Sequence, residues 1–322
     1  MKNGNGIEGR LVNIDRDLCV IPNVAIHMNR EMNKGVEYNP QVDLLPLLAD
    51  VSFDEYDAHT TYDAQTASEN AEEQPETVEK PTLVALAAEA AGVDAETILG
   101  EDLFLYTRQE GKMIGAKGEF VLSPRLDDLQ SAFALTKAFT ESTPAEYINL
   151  CAVFDNEEVG NISKNGAFSR VTSTILKLIY EGLGCNELQY DKELLKSNII
   201  SVDAAHGFHP VFATHYDKEH MCILNRGFCI KQASSQAYAT DSTMSGMIQQ
   251  LCRKENIPFQ KYMNHADIRG GGTLGSIISC VLGVKTADIG VPILSMHSSL
   301  ETMGMEDENS LIHFLRIYYD AM

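Results

Sequence analysis

The chain has 322 residues, of which 44% are apolar and 22% charged, and its formal net charge at pH 7 is −21. This composition is that of a folded globular protein and excludes a disordered or fibrous chain. The excess of acidic side chains repels nucleic-acid phosphates and anionic membrane surfaces. We therefore expect neither nucleic acid nor membrane as a partner.

The seven cysteines are an odd number and form no Cys-x-x-Cys pair, which indicates reduced thiols in the cytoplasm. Residues 1–10 lack the apolar core of a secretion signal. No run in the sequence approaches the roughly 20 apolar residues of a membrane span. We expect a cytoplasmic protein that is neither exported nor inserted into a membrane.

The amino-terminal part of the chain predicts a smaller, β-rich domain over residues 1–118. Short apolar runs over 11–48 are broken by proline and glycine, which indicates strands and turns. Residues 54–81 hold nine acidic side chains against one basic and predict an exposed acidic loop. The alanine-rich pattern of residues 82–99 predicts a helix.

Residues 119–322 show a different pattern, in which short apolar runs alternate with amphipathic helical segments such as 171–180. This alternation predicts an α/β fold with a mostly parallel sheet flanked by helices. The predicted strands cover residues 120–126, 148–154, 198–202 and 291–296.

Each of these four strands runs into side chains that bind metals or move protons. They are Asp127 and Asp128, then Asp155 to Glu158, then Asp203, and finally His297. Ligands of open α/β sheets bind outside the carboxyl ends of the strands, so we expect these side chains to converge. Several carboxylates and an imidazole in one crevice favour a divalent cation such as zinc, manganese or cobalt.

Each strand end also has a structural alternative. Asp127 or Asp128 could cap the following helix, whose apolar positions have helical spacing. Glu157 and Glu158 could form a solvated turn. Asp203 could be a turn residue, and His297 a hydrogen-bonded core histidine. The occurrence of such side chains after all four predicted strands favours a metal site over these structural alternatives.

Four motifs resemble those of the aspartyl aminopeptidase and vacuolar aminopeptidase I family of co-catalytic zinc exopeptidases. The likeness covers nearly the whole chain outside the acidic loop, and the order and spacing agree. The motifs are Pro124-Arg125-Leu126-Asp127, Asp155-Asn156-Glu157-Glu158-Val159-Gly160, Val202-Asp203-Ala204-Ala205-His206 and Ser295-Met296-His297-Ser298.

The resemblance implies a role for each matching residue. Asp127 would bridge two zinc ions, Glu158 and His297 would complete the first, and Asp203 would bind the second. Glu157 would be the general base that takes a proton from metal-activated water. Cobalt and manganese are the alternative metals.

One family feature has no match in this sequence. The family carries a His-x-Asp motif roughly a hundred residues nearer its amino terminus, which supplies a further ligand of the second metal. Upstream of Asp127 the only histidines are His27 and His59, and neither lies in such a motif. We therefore expect an amino-terminal truncation, with one metal set complete and the second reduced to Asp127 and Asp203.

The resemblance also assigns residues that contact substrate. His27 would reach a neighbouring subunit's active site and help hold the reacting carbonyl, its alternative being a surface histidine on an edge strand. Arg226 and Lys231 would face the substrate pocket, or instead form structural salt bridges. Gly271 and Gly272 would let the peptide backbone approach closely.

Two functions from different classes follow. The first is a metallo-aminopeptidase that removes amino-terminal residues, with acidic residues as candidates, from peptides. Its residues 1–118 would form a dimerisation and lid domain, and residues 119–322 a catalytic domain lacking its first strands. In the family such dimers assemble into dodecamers, so we expect a homo-oligomer. The alternative is a catalytically silent truncated chain that acts as an oligomerisation partner.

Overall fold

The computed structural model describes residues 1–4, 6–31, 34–49, 82–143, 147–268 and 270–321. The predicted acidic loop at 54–81 lies outside the described residues. The chain divides into two compact units, Met1–Arg108 and Gln109–Met322. None of the helices in the described part of the chain combines the length and the apolar run that crossing a bilayer requires.

In the described residues of the first unit, the regular structure consists of short strands, one helix and a 3-10 turn. Strands β1 (Lys2–Asn3) and β2 (Gly6–Ile7) pair antiparallel. Helix α1 (Leu83–Ala91) forms where the alanine-rich pattern predicts a helix, and a 3-10 turn follows at Ala95–Thr97. Further pairing in the described residues of this unit is limited to an isolated antiparallel bridge between Val20 and Leu47.

The described residues of the second unit form two sheets. One has five strands in the order β3-β4-β11-β10-β6, and the other has four in the order β5-β9-β7-β8. The strands are β3 (Lys112–Ile114), β4 (Phe120–Ser123), β5 (Asn198–Val202), β6 (Ala205–His206), β7 (Phe228–Lys231), β8 (Phe259–Tyr262), β9 (Lys285–Gly290), β10 (Pro292–Leu294) and β11 (Glu301–Gly304).

Helices accompany both sheets. Local signals fix several of their ends: Asn186 and Gln189 form a capping box, and the Asp241 side chain accepts from the Met244 amide at 2.8 Å. The helices are α2 (Leu126–Glu141), α3 (Val171–Gly182), α4 (Glu187–Lys196), α5 (Ser242–Glu255), α6 (Leu274–Leu282) and α7 (Met305–Ala321).

The predicted α/β class is confirmed, and the sheets mix both pairing directions. Strands β5 and β9, β7 and β8, and β6 and β10 pair in parallel, whereas the remaining pairs of these sheets are antiparallel. The strand predicted over residues 148–154 is not formed. Its apolar run has no neighbouring strand among the described residues, and a strand needs such a partner for its backbone hydrogen bonds.

A continuous parallel ribbon joins the two sheets. After β5 and β9 the pairing continues without a break, since the Asp203 amide donates to the Ile289 carbonyl at 3.0 Å and the Ala205 amide to the Val291 carbonyl at 2.9 Å. Gly290 lies at the crossing, where any Cβ would overlap the Asp203 carbonyl oxygen. The close approach of the two chains therefore requires glycine at this position.

The main core lies between the sheets and helices α2, α5 and α7. Its centre is formed by aliphatic and aromatic side chains that are fully buried, and the Phe228 and Phe314 rings lie 5.0 Å apart. Each such side chain contributes about 1.5–3 kcal/mol by leaving water. This packing fixes the strand ends that carry the site.

Helix α7 also buries two acidic side chains near its amino end. Asp307 accepts hydrogen bonds from the Asn225 and Gly227 amides at 2.6 and 2.7 Å. Glu308 is 5% exposed, and neither of its carboxylate oxygens has a hydrogen-bond partner among the described residues. Burial, with a smaller contribution from Asp307, raises the pKa of Glu308 to about 8.

We predict that Glu308→Gln stabilises the protein at alkaline pH. The folded-state pKa of Glu308 lies above its ordinary value, so its contribution to stability is present at low pH and is lost as the pH rises towards 8. Urea unfolding at pH 8.5 should show the variant more stable by about 1–3 kcal/mol. The gain should shrink at pH 5, and equal gains at both pH values would contradict the assignment.

Candidate metal centre

Three of the predicted metal ligands meet in the second unit. Donor atoms of Asp127, Glu158 and His297 all lie within 4.8 Å of one another. His297 Nε2 is 3.1 Å from Asp127 Oδ2 and 3.2 Å from Glu158 Oε2. Residues separated by up to 170 positions in the chain thus form one possible ligand set.

A second group shares Asp127 with the first. Carboxylate oxygens of Asp127, Asp128 and Asp203 lie within 4.8 Å of one another. Only Asp127 and Asp203 are expected here from the sequence, and the structure adds Asp128. Asp127 is thus the only residue common to both groups in the part of the chain that the structure describes.

Tight turns carry Glu157, Glu158 and His297. Asn156 adopts φ 64°, and its carbonyl accepts from the Asn161 amide at 2.9 Å, which closes the turn that carries Glu157 and Glu158. His297 itself has φ 65°. A positive φ in a non-glycine residue is unfavourable and persists only where the surrounding structure holds it.

The cluster brings several carboxylates close together, and their proximity and burial raise their pKa values. Burial, then the carboxylates of Asp203 and Glu158, raise the pKa of Asp127 to about 7. The same causes raise the pKa of Glu157 to about 7. Burial, followed by Asp203, raises the pKa of Asp128 well above its ordinary value. A bound divalent cation would relieve this repulsion.

The residues present fit a zinc ion. Asp127 Oδ1 is buried and has no hydrogen-bond partner among the described residues, so a lone pair remains available for a cation. The adjacent set of two carboxylates and one imidazole has the composition of a catalytic zinc site with an open position. We therefore treat Asp127, Glu158 and His297 as the candidate set for one metal.

A cavity of about 450 Å³ lies over these ligands. Glu157, the predicted base, lines it together with the predicted substrate residues Lys231, Gly271 and Gly272. The structure thus brings eight of the ten predicted site residues to the cavity wall, and Tyr238, which was not predicted, also lines it. The eight are Asp127, Glu157, Glu158, Asp203, Lys231, Gly271, Gly272 and His297.

Lys231 is a fully enclosed cation at the cavity wall. Its Nζ donates to the carbonyls of Asp203 and Ala204 at 3.0 and 2.9 Å and to Asp203 Oδ2 at 3.1 Å. Burial alone would lower the pKa of Lys231, but the carboxylates of Asp203 and Asp288 outweigh it and raise that pKa. Lys231 therefore remains charged and offsets one of the acidic side chains.

Asp288 is a buried residue that the sequence analysis missed. One carboxylate oxygen accepts from the Thr273 hydroxyl at 2.7 Å and the other from the Ala239 amide at 2.5 Å. These bonds tie together the loop after Gly272 and the loop that carries Tyr238. Asp288 lies inside strand β9 rather than at its end, so no strand-end signal marks it.

Among the predicted residues of the second unit, Arg226 is the one that does not line this cavity. Arg226 is exposed and precedes β7, whereas Lys231 ends it, so the strand separates them by roughly 15 Å. His27 lies in the first unit, exposed, in a turn rather than on an edge strand. Both substrate roles stay predictions.

Carboxylates and a histidine at the ends of strands, beneath a cavity and beside a buried lysine, define the site of a metal-dependent hydrolase on an α/β fold. Residues 1–319 match the aminopeptidase I zinc metalloprotease family, M18, and the chain belongs to that family. The resemblance drawn from the motifs is thereby confirmed. Members of this family are metal-dependent proteases.

Individual relatives agree with the family match. A probable M18 family aminopeptidase 2 of Clostridium novyi is 37% identical over 313 residues, which cover 97% of this chain and 67% of that protein. The chain therefore spans about two thirds of the length of this curated relative.

Solved structures share the fold. Ape4 in its complex with Nbr1 has a TM-score of 0.80 and 28% identity, covering 96% of this chain and 58% of that one. The mApe1 dodecamer of S. cerevisiae has a TM-score of 0.73 and 23% identity, covering 99% and 66%.

We predict that zinc stabilises the chain through Asp127. At a zinc concentration 100-fold above Kd, binding adds about 2.7 kcal/mol to the unfolding free energy, which raises Tm by several degrees. Asp127→Asn should abolish this increment while leaving the metal-free protein at least as stable, because it removes one of the crowded charges. Differential scanning calorimetry with zinc or EDTA measures both effects.

Asp191→Asn is the matched control for this experiment, since Asp191 is exposed on α4 and belongs to neither ligand group. It should keep the full zinc increment. An equal increment in Asp127→Asn and wild type would show that zinc binds elsewhere.

Proposed function

We propose that this chain is a zinc-dependent aminopeptidase that removes amino-terminal residues from peptides. The observation that supports this most strongly is the convergence of Asp127, Glu158 and His297 within 4.8 Å, with Glu157 lining the same cavity. Membership of the M18 family supports the reaction class. Cytoplasmic location and peptide substrates belong to the same proposal.

Different residues of the chain would bind the two metal ions. Asp127, Glu158 and His297 would hold one zinc ion, and Asp127 with Asp203 would contribute to a second, with the Asp128 carboxylate adjacent. A zinc ion there would polarise the scissile carbonyl and make the attacking water more acidic. Cobalt and manganese suit the same oxygen and nitrogen donors.

Glu157 would act as the general base. It lines the cavity beside Glu158 but belongs to neither group of possible ligands in the described part of the chain, so its carboxylate is free to exchange protons. It would take a proton from the attacking water and deliver it to the leaving amine. Ligand and base can be neighbours because their side chains diverge at the turn.

Lys231, Gly271 and Gly272 would form the substrate side of the cavity. All three donors of the Lys231 ammonium are engaged by Asp203 and Ala204, so it would influence a substrate through its charge rather than through a free N–H. This buried charge supports the proposed acceptance of acidic amino-terminal residues. Gly271 and Gly272 expose backbone without side chains, which suits close approach of a peptide.

We predict that Glu157→Gln lowers kcat by about 10²–10⁴-fold while zinc stays bound, because the amide cannot accept the proton. The assay measures release of p-nitroaniline from amino-terminal Asp, Glu, Ala and Leu substrates, with the metal content determined on the same samples. The acidic substrates test the side-chain preference independently of the base.

Glu181→Gln, an exposed glutamate on α3 away from the cavity, is the matched control and should keep full activity. A Glu157→Gln variant as active as wild type would remove Glu157 from the mechanism. A wild-type chain that neither binds metal nor hydrolyses any substrate would replace the proposal with the catalytically silent oligomerisation partner.

We further propose that the chain forms a homo-oligomer through residues 1–118, acting as a dimerisation and lid domain. The dodecameric structural neighbour supports this, and so do large apolar side chains that the first unit leaves exposed, including Val24, Met28, Val42 and Leu45. Within such an assembly, the exposed His27 would help hold the reacting carbonyl in a neighbouring subunit, and Arg226 would lie near that substrate.

We predict a solution mass of at least twice the 35.5 kDa of one chain. Leu45→Glu should shift the chain towards smaller species, because a charge on an apolar interface opposes its burial. Light scattering coupled to size exclusion measures the masses. Leu195→Glu, on an exposed position of the second unit, is the control and should leave the mass unchanged. A monomeric wild type would contradict the proposal.

A further inference from the structure

One buried carboxylate connects the two backbone segments that carry Asp127 and His297. Glu301, the first residue of β11, is 2% exposed. Its Oε2 accepts from the Asp127 amide at 2.9 Å, and its Oε1 accepts from the His297 amide at 2.7 Å. One side chain therefore binds the backbones of two candidate ligands that lie 170 residues apart.

Glu301 is separate from the ligand groups themselves. In the described part of the chain it neither lines the cavity nor belongs to a group of possible metal ligands. It acts on the backbone N–H groups and leaves the side chains of Asp127 and His297 free to face each other across 3.1 Å. Its contacts are those of a residue that orients ligands.

The segment that carries His297 needs such support. Ser295 and His297 both have positive φ values, 60° and 65°, in a turn closed by the Ser298 amide on the Ser295 carbonyl at 3.0 Å. Non-glycine residues hold this conformation only when other interactions determine it. The bond from the His297 amide to Glu301 is such an interaction, and it acts at the ligand itself.

The number of hydrogen-bond acceptors, rather than the charge, shows why a carboxylate is needed at this position. The negative charge of Glu301 opposes that of Asp127, so in the absence of a cation a neutral side chain would be electrostatically better. A carboxylate has acceptors on both oxygens and can bind two N–H groups, whereas a carboxamide has only one acceptor oxygen. With a cation bound, the charge of Glu301 becomes favourable as well.

We propose that Glu301 is a positioning residue that sets the separation of Asp127 and His297 for one metal ion. This inference rests on the metal site of the proposed function. It differs from that proposal because it concerns a residue that contacts neither metal nor substrate.

The experiment measures metal affinity rather than activity. Metal-stripped full-length wild type, Glu301→Gln and Glu308→Gln are titrated with zinc against a chromogenic chelator. In Glu301→Gln the carboxamide NH₂ faces one of the two amide N–H groups, so zinc affinity should fall 10–100-fold. Glu308→Gln replaces another buried glutamate of the second unit, one without hydrogen-bond partners among the described residues, and should bind zinc like wild type.

A spectrum distinguishes positioning from simple destabilisation. The visible absorption of bound cobalt(II) reports ligand geometry, so its bands should shift in Glu301→Gln and stay unchanged in Glu308→Gln. Unchanged zinc affinity and cobalt spectrum in Glu301→Gln, with only a lower Tm, would overturn the inference. Should Glu301→Gln fail to fold, Glu301→Asp decides in its place, because the shorter carboxylate cannot reach both amides and should weaken zinc binding.

The two proposals fail in different ways. A wild-type chain without zinc affinity overturns the proposed function. A wild type that binds zinc, together with Glu301 variants that bind it equally well, overturns only the positioning role.

Discussion

The continuous parallel ribbon that joins the two sheets is the constraint on which the site depends. Because β5 and β9 pass together into β6 and β10, Asp203 lies at the junction, against Gly290, and His297 follows the end of β10. Asp127 lies at the start of α2, next to both Asp203 and His297. The fold thus collects charges of one sign at a place where burial makes their repulsion strong.

The two sides of the site differ in how far this repulsion is offset. Next to Asp203, the buried ammonium of Lys231 supplies a permanent positive charge. Next to Asp127 and His297, Glu301 binds backbone amides, which fixes geometry but adds a negative charge. The side with the histidine therefore has an uncompensated attraction for a cation, in agreement with membership of a zinc metalloprotease family.

Sequence reasoning predicted candidate site residues most directly where a side chain closely follows a strand. Asp203 and His297 come within a few residues of β5 and β10, and Asp127 follows β4 closely, so all three were predicted. Glu158 was predicted although the strand expected before it is not formed, because its sequence motif identifies it independently of that strand. Arg226 shows the limit of this reasoning. It is close to Lys231 in the sequence, but the two residues lie at opposite ends of β7.

The α/β class, the acidic character and the candidate metal ligands can be derived from residue patterns, because apolar periodicity and strand-end chemistry are local properties. The hydrogen bonds that hold the candidate ligands in place cannot be derived from such patterns. Glu301 binds an amide 174 positions away, and Asp288 joins two loops from inside a strand. Their partners are backbone groups, which every residue possesses, so only the folded chain selects which N–H each carboxylate meets.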